Sequence, residues 1–93
     1  MKYFVWSVEK NERLKRERNI SFEHIVFYIE RGHVLNIVEH PNQSRYGGQR
    51  IFIIQINDYA YLIPFIETEA EIILITIIPS RKATSRYLRG RDE

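Results

Sequence analysis

Arg50-Ile51-Phe52-Ile53-Ile54-Gln55-Ile56-Asn57 and Tyr59-Ala60-Tyr61-Leu62-Ile63-Pro64-Phe65 are separated by Asp58 alone. Both runs are dense in β-branched and aromatic side chains, which suit a pleated, half-buried backbone. Asn57-Asp58 between them supplies the short polar residues that tolerate a tight hairpin turn. The two runs therefore read as an antiparallel hairpin, and everything around it must either extend that sheet or cover it.

Working outward, Glu67-Thr68-Glu69-Ala70 makes a second turn and Ile72 to Ile78 a further strand, continuing the meander. Pro64 has no N–H for the ladder, so it belongs at a bulge or a strand end. Upstream, Val34 to Val38 reads as a strand, followed by a loop from His40 to Gln49 that holds Pro41, Asn42, Ser44, Gly47 and Gly48. Ahead of it the period changes from two to three or four. Phe22, Ile25, Val26 and Ile29 form one apolar helical face, with Ser21 as N-cap, Glu23 in the first turn and Gly32 as the stop. Residues 8–18 form an earlier, mostly wet helix anchored by Val8 and Leu14, with Glu9–Arg13 and Glu12–Arg16 at i,i+4 spacing. Phe4-Val5-Trp6 is a short first strand, and Ser80 to Leu88 a basic terminal helix or partly ordered tail. The expected order is β-α-α-β-β-β-β with that C-terminal segment, a small antiparallel α+β domain spanning residues 1–93.

The strands are apolar on both sides. In an unbroken strand Ile72, Leu74 and Ile78 point one way and Ile73, Ile75 and Ile77 the other. Two short helices cover only one face of such a sheet, so either the terminal helix or a partner chain must cover the second. The two solutions are equally compatible with the sequence.

Composition narrows the class. At 93 residues and 44% hydrophobic, the chain holds one domain with a dense core and no cysteine for disulfides or thiolate metal sites. Its longest strongly apolar stretch, Ile72 to Pro79, is far below the roughly 20 residues of a membrane helix, and Met1 to Trp6 lacks the pattern of a signal peptide. A soluble cytoplasmic protein is expected. The net charge of +2 hides a segregation: residues 1–19 sum to +3, 58–71 to −4 and 79–91 to +5. Basic ends around an acidic middle suit a polyanion, and they also suit the solvated surface of any small domain.

Several of these residues, taken in order, resemble the BrnT family. They are Trp6 closing the first strand, Lys10 four residues on, Ser21-Phe22-Glu23 opening the second helix, Arg45-Tyr46-Gly47 in the loop, and the run Ile77-Ile78-Pro79-Ser80-Arg81-Lys82-Ala83. The resemblance spans nearly the whole chain. It implies a RelE-like fold and a ribonuclease toxin of a type II toxin–antitoxin system, one that inhibits translation by metal-independent RNA cleavage. It also implies neutralisation by a ribbon-helix-helix antitoxin in a hetero-oligomer, RNA or ribosome-bound mRNA as target, no cofactor and no membrane.

RNA cleavage without metal needs a base for the 2′-hydroxyl, cations for the phosphorane charge and an acid for the leaving oxygen. Arg45 and Arg81 suit the phosphate, because a planar guanidinium holds two oxygens at once. Lys10 is a third cation able to donate a proton if its pKa is depressed by other positive charges. Among three histidines, His24, His33 and His40, the last lies nearest Arg45 in sequence and is the best general-base candidate. No pair has metal-ligand spacing. Tyr46 and Trp6 offer rings for a splayed base, although Trp6 at a strand end suits the core better and Tyr46 equally suits a loop closure. Lys82, Arg86 and Arg89 suit backbone phosphate contact or plain solvation. Two readings from other classes fit the same residues: a non-catalytic partner-binding module with a basic tail, and a DNA-binding accessory protein.

Overall fold

The computed structural model describes residues 2–89. Their element order is β1 (Tyr3–Val5), α1 (Val8–Arg18), α2 (Phe22–Glu30), β2 (Val34–Glu39), β3 (Arg50–Ile56), β4 (Tyr59–Glu67), β5 (Glu71–Leu74), β6 (Ile78–Ser80) and α3 (Arg81–Thr84), the last widening into a π-helical turn over Ser85–Arg89. Arg91, counted above in the basic run, lies outside the described residues. The α+β class read from the sequence is the architecture observed. No helix among the described residues is long and apolar enough to cross a membrane.

Local chemistry sets the element ends, as expected at Ser21, Gly32 and Asn57 and in addition at Ser7. The Ser21 hydroxyl accepts from the His24 N–H at 3.1 Å, and Ser7 caps α1 in the same way through Lys10 N–H at 3.2 Å. Gly32 follows α2 at φ 82°, a left-handed backbone that a side chain would strain. Asn57 takes the left-handed turn between β3 and β4 at φ 57°.

The sheet runs β1-β5-β4-β3-β2, with β6 also pairing with β4. Strands β2 to β5 form the expected antiparallel meander, but the sheet is mixed, not wholly antiparallel: β1 lies parallel to β5, with Phe4 opposite Ile72. From β1 the chain crosses through α1 and α2 to β2 at the opposite edge, and the meander then works back until β5 lies beside β1.

A second correction concerns the last strand, which is broken. Between the pairs Phe65–Leu74 and Leu62–Ile78, β4 contributes Ile63 and Pro64 while the facing chain contributes Ile75, Thr76 and Ile77. The extra residue is a β-bulge. Pro64 sits opposite it: its carbonyl accepts from the Ile75 N–H at 2.9 Å, and its missing donor falls where the ladder is already interrupted. The bulge shifts the phase of everything after it. Leu74 and Ile77, expected on opposite faces, are both buried in the same core at 2% and 1% exposure, and Ile78 is left 42% exposed.

Two apolar layers result. On the first face Phe52, Ile54, Ile63 and Phe65 pack with Leu14, Phe22 and Ile25 from α1 and α2. Phe52 and Phe65 stack at 4.1 Å between centroids. On the second face Ile51, Ile53 and Ala60 pack with Ala83, Leu62 and Tyr87. The terminal helix therefore covers the β2–β4 half of that face. Thr84, fully buried, accepts from the Ala60 N–H at 2.8 Å and donates to the Ser80 carbonyl at 2.7 Å, fixing α3 to the sheet.

The two helices are joined by a side chain with no sequence signature. Asn11 is 3% exposed; its Oδ1 accepts from the Phe22 N–H and its Nδ2 donates to Glu23 Oε1, each at 2.8 Å. The Asn11 amide, followed by Glu23's own backbone N–H, holds the Glu23 carboxyl below the usual carboxylate range. Asn11→Ala leaves a helix-terminal N–H buried without its acceptor, and a loss of about 1–3 kcal/mol is expected in urea unfolding at neutral pH. A lowered carboxylate pKa stabilises above the ordinary range and loses that effect as pH falls through the lowered value. The variant should therefore show a weaker loss of stability on acidification, and an equal acid slope would dissociate Glu23 from this contact.

Candidate functional site

The loop between β2 and β3 is held by its own side chains. Asn42 Oδ1 accepts from the Ser44 hydroxyl and the Arg45 N–H, at 2.9 and 3.2 Å. Gln43 spans the loop interior, donating to the carbonyls of His40 and Gln49 and accepting from the Gly48 N–H. This frame arranges three candidate residues as a stack. The rings of His40 and Tyr46 lie 4.4 Å apart at 33°, and the Arg45 guanidinium carbon sits 5.4 Å from the Tyr46 centroid. The stack holds an exposed cation in place at the loop surface.

His40 has a defined tautomer. Its Nδ1 accepts from the Asn42 backbone N–H at 3.1 Å, so the neutral ring carries its proton on Nε2. In this arrangement Nε2 is a hydrogen-bond donor, and the base step assigned to His40 from sequence requires the Asn42 contact to open so that Nδ1 can carry the ring proton.

The basic terminal segment lies on the same face of the sheet as the end of this loop. Lys82, Arg86 and Tyr87 form one wall of a groove of about 420 Å³ whose other wall includes Pro41, next to His40, and Asn36. Asn36 Nδ2 donates to the Tyr87 hydroxyl at 3.0 Å across it. Ile51, Ile53 and Leu62 make its apolar floor. Arg81 projects at the neighbouring surface with Tyr59 and Pro79. Arg89 lies farther along, beside Gln55 and Asp58 at the β3–β4 turn.

Two residues singled out from sequence are elsewhere. Trp6 stacks on Phe22 at 5.8 Å and packs against the first-face core, so its ring serves α2. Lys10 is in the first turn of α1, in the helical layer across the sheet from α3. The described residues hold no group of three or more His, Asp or Glu arranged to bind a metal ion.

Sequence reading passed over a second concavity. Arg18, His24, Tyr28 and Tyr61 converge on a cleft of about 460 Å³ between the α1–α2 corner and the β3–β4 turn. These residues come from three elements, and only His24 and Tyr28, one turn apart on α2, are related by spacing along the chain.

Compared with protein families, curated proteins and solved structures, the chain matches none.

Proposed function

We propose that this protein is an RNA-cleaving toxin of the BrnT kind, acting on RNA or ribosome-bound mRNA and held inactive by a ribbon-helix-helix antitoxin. The observation that supports this most is the shared face of the terminal helix and the His40–Gln49 loop. Lys82 and Arg86 line the groove whose other wall includes Pro41, the residue after His40, and Arg81 lies on the adjoining surface beside Tyr59 and Pro79. In this reading Arg81 and Arg45 hold the scissile phosphate, and His40, braced by Tyr46 and freed from its Asn42 contact, takes the 2′-hydroxyl proton and returns it to the leaving 5′-oxygen, while Lys82 with Arg86 track the backbone. The ordered resemblance from Trp6 to Ala83 gives the reading its biological setting, a cytoplasmic translation inhibitor with a protein antidote.

Induction of the protein alone in bacteria should arrest growth and translation, with rescue by co-expression of its antitoxin. The purified chain should cut RNA in the presence of EDTA. Undisturbed growth at high soluble expression counts against the toxin, and cleavage abolished by EDTA against a metal-independent mechanism.

A further inference from the structure

The cleft between α1, α2 and the β3–β4 turn has the chemistry of a ligand site that the groove beside α3 does not explain. Its volume of about 460 Å³ falls in the ordinary range for small-molecule pockets, about 300–1,000 Å³. Two aromatic rings line it. Tyr28 is half-buried on α2, braced by His24 and His33 at 6.2 and 5.1 Å between centroids, and Tyr61 meets Tyr59 edge-on at 5.8 Å. Arg18 lies at its rim, held by a 3.4 Å hydrogen bond from Nη1 to the carbonyl of Ile77, which leaves most of its donor fork directed elsewhere. His24 adds a second cationisable group at the mouth, and Asn57 at the turn adds an amide. None of the described residues lining the cleft is acidic.

Rings for a planar π-system, an arginine fork for an anion and an amide for a polar ring edge are the recognition elements of a nucleotide. We infer that this cleft binds one nucleoside monophosphate unit, its base against Tyr28 and Tyr61 and its phosphate on Arg18 and His24. The cleft and the surface bearing Arg81 share one lining residue, Pro79. The same chemistry is offered by a free nucleotide and by one residue of single-stranded RNA. The inference goes beyond the toxin reading, because binding here needs no cleavage.

The test is an NMR titration of the purified chain with the four nucleoside 5′-monophosphates, their parent nucleosides and a short single-stranded oligonucleotide. Monophosphates should shift amides at residues 18–24 and 56–61 and bind more tightly than the nucleosides. Arg18→Gln, at an exposed position, should abolish that phosphate preference. Tyr28→Leu, which keeps the apolar packing, should weaken base binding roughly ten- to a hundredfold. Competition by the oligonucleotide assigns the cleft to RNA strands; monophosphate binding without competition assigns it to free nucleotides, and either supports the site. Absence of these shifts at about millimolar ligand, shifts confined to residues 81–89, or an unchanged phosphate preference in Arg18→Gln overturns it. Growth arrest without nucleotide binding sinks this inference alone, and nucleotide binding without growth arrest sinks the toxin reading alone.

Discussion

Arg81→Lys and Arg45→Lys are each expected to slow single-turnover RNA cleavage by roughly a hundred- to a thousandfold, with unchanged circular dichroism and melting. Both side chains are exposed, so the fold does not depend on them. Each substitution keeps the positive charge but removes the paired donors of the guanidinium, and at position 45 also its cation–π contact with Tyr46. Loss of one contact that strengthens in the transition state raises the barrier by about 3–4 kcal/mol. Arg89→Gln provides the contrast. Beside Asp58 at the far end of the terminal segment, it should weaken RNA binding modestly and flatten its salt dependence, with little change in rate at saturating protein. Wild-type cleavage by both lysine variants would remove Arg45 and Arg81 from the site, whatever the fate of the toxin reading.

Ile77→Ala is expected to destabilise the protein by about 2–5 kcal/mol, and Ile78→Ala by well under half as much. The neighbours differ because the bulge at residues 75–77 turns Ile77 into the first-face core and leaves Ile78 at the surface. Ile77 is 1% exposed among Phe65, Leu74 and the helices, so its truncation opens a cavity in a close-packed layer. For a domain with a total stability of about 5–15 kcal/mol, that is a large share. Chemical denaturation of the two variants under identical conditions measures the difference directly. Equal losses, or the reverse order, would mean that the strand runs unbroken past Pro64.

That bulge also marks where sequence reasoning stopped. Period-two runs, the Asn57 turn, Ser21 and Gly32 placed most elements, because each is a local preference. Pro64 announced an interruption without saying which strand would absorb it; the answer lay in the partner chain at Ile75 to Ile77. The parallel seat of β1 was hidden, since three residues carry no information about direction. The sequence did not say whether the terminal helix or a partner covers the second face; Thr84 and Tyr87 tie that helix to Ala60 and Asn36, and it covers the β2–β4 half. In the candidate site, the His40-Tyr46-Arg45 cluster was legible because it is local. Trp6 was ambiguous between core and ligand, and its stack on Phe22 assigns it to the core. The cleft at Arg18, His24, Tyr28 and Tyr61 depends on tertiary assembly and, beyond the one-turn spacing of His24 and Tyr28, has no linear signal. The same holds for Asn11, whose partners lie on the next helix.

The parallel pairing of β1 with β5 carries a consequence for the order in which the molecule assembles. Phe4 and Ile72 are partners 68 residues apart in sequence (72 − 4), whereas β3 and β4 meet through a two-residue turn. Each doubling of the loop to be closed adds about 0.6 kcal/mol of entropy, so the hairpin is the natural nucleus and β1 a late arrival. Until β1 docks, Glu71 to Leu74 is an open strand edge with Ile72 and Ile73 on it, a template for pairing with another chain. The three residues Tyr3–Val5 thus close a strand edge that the β3–β4 hairpin and β5 by themselves leave open.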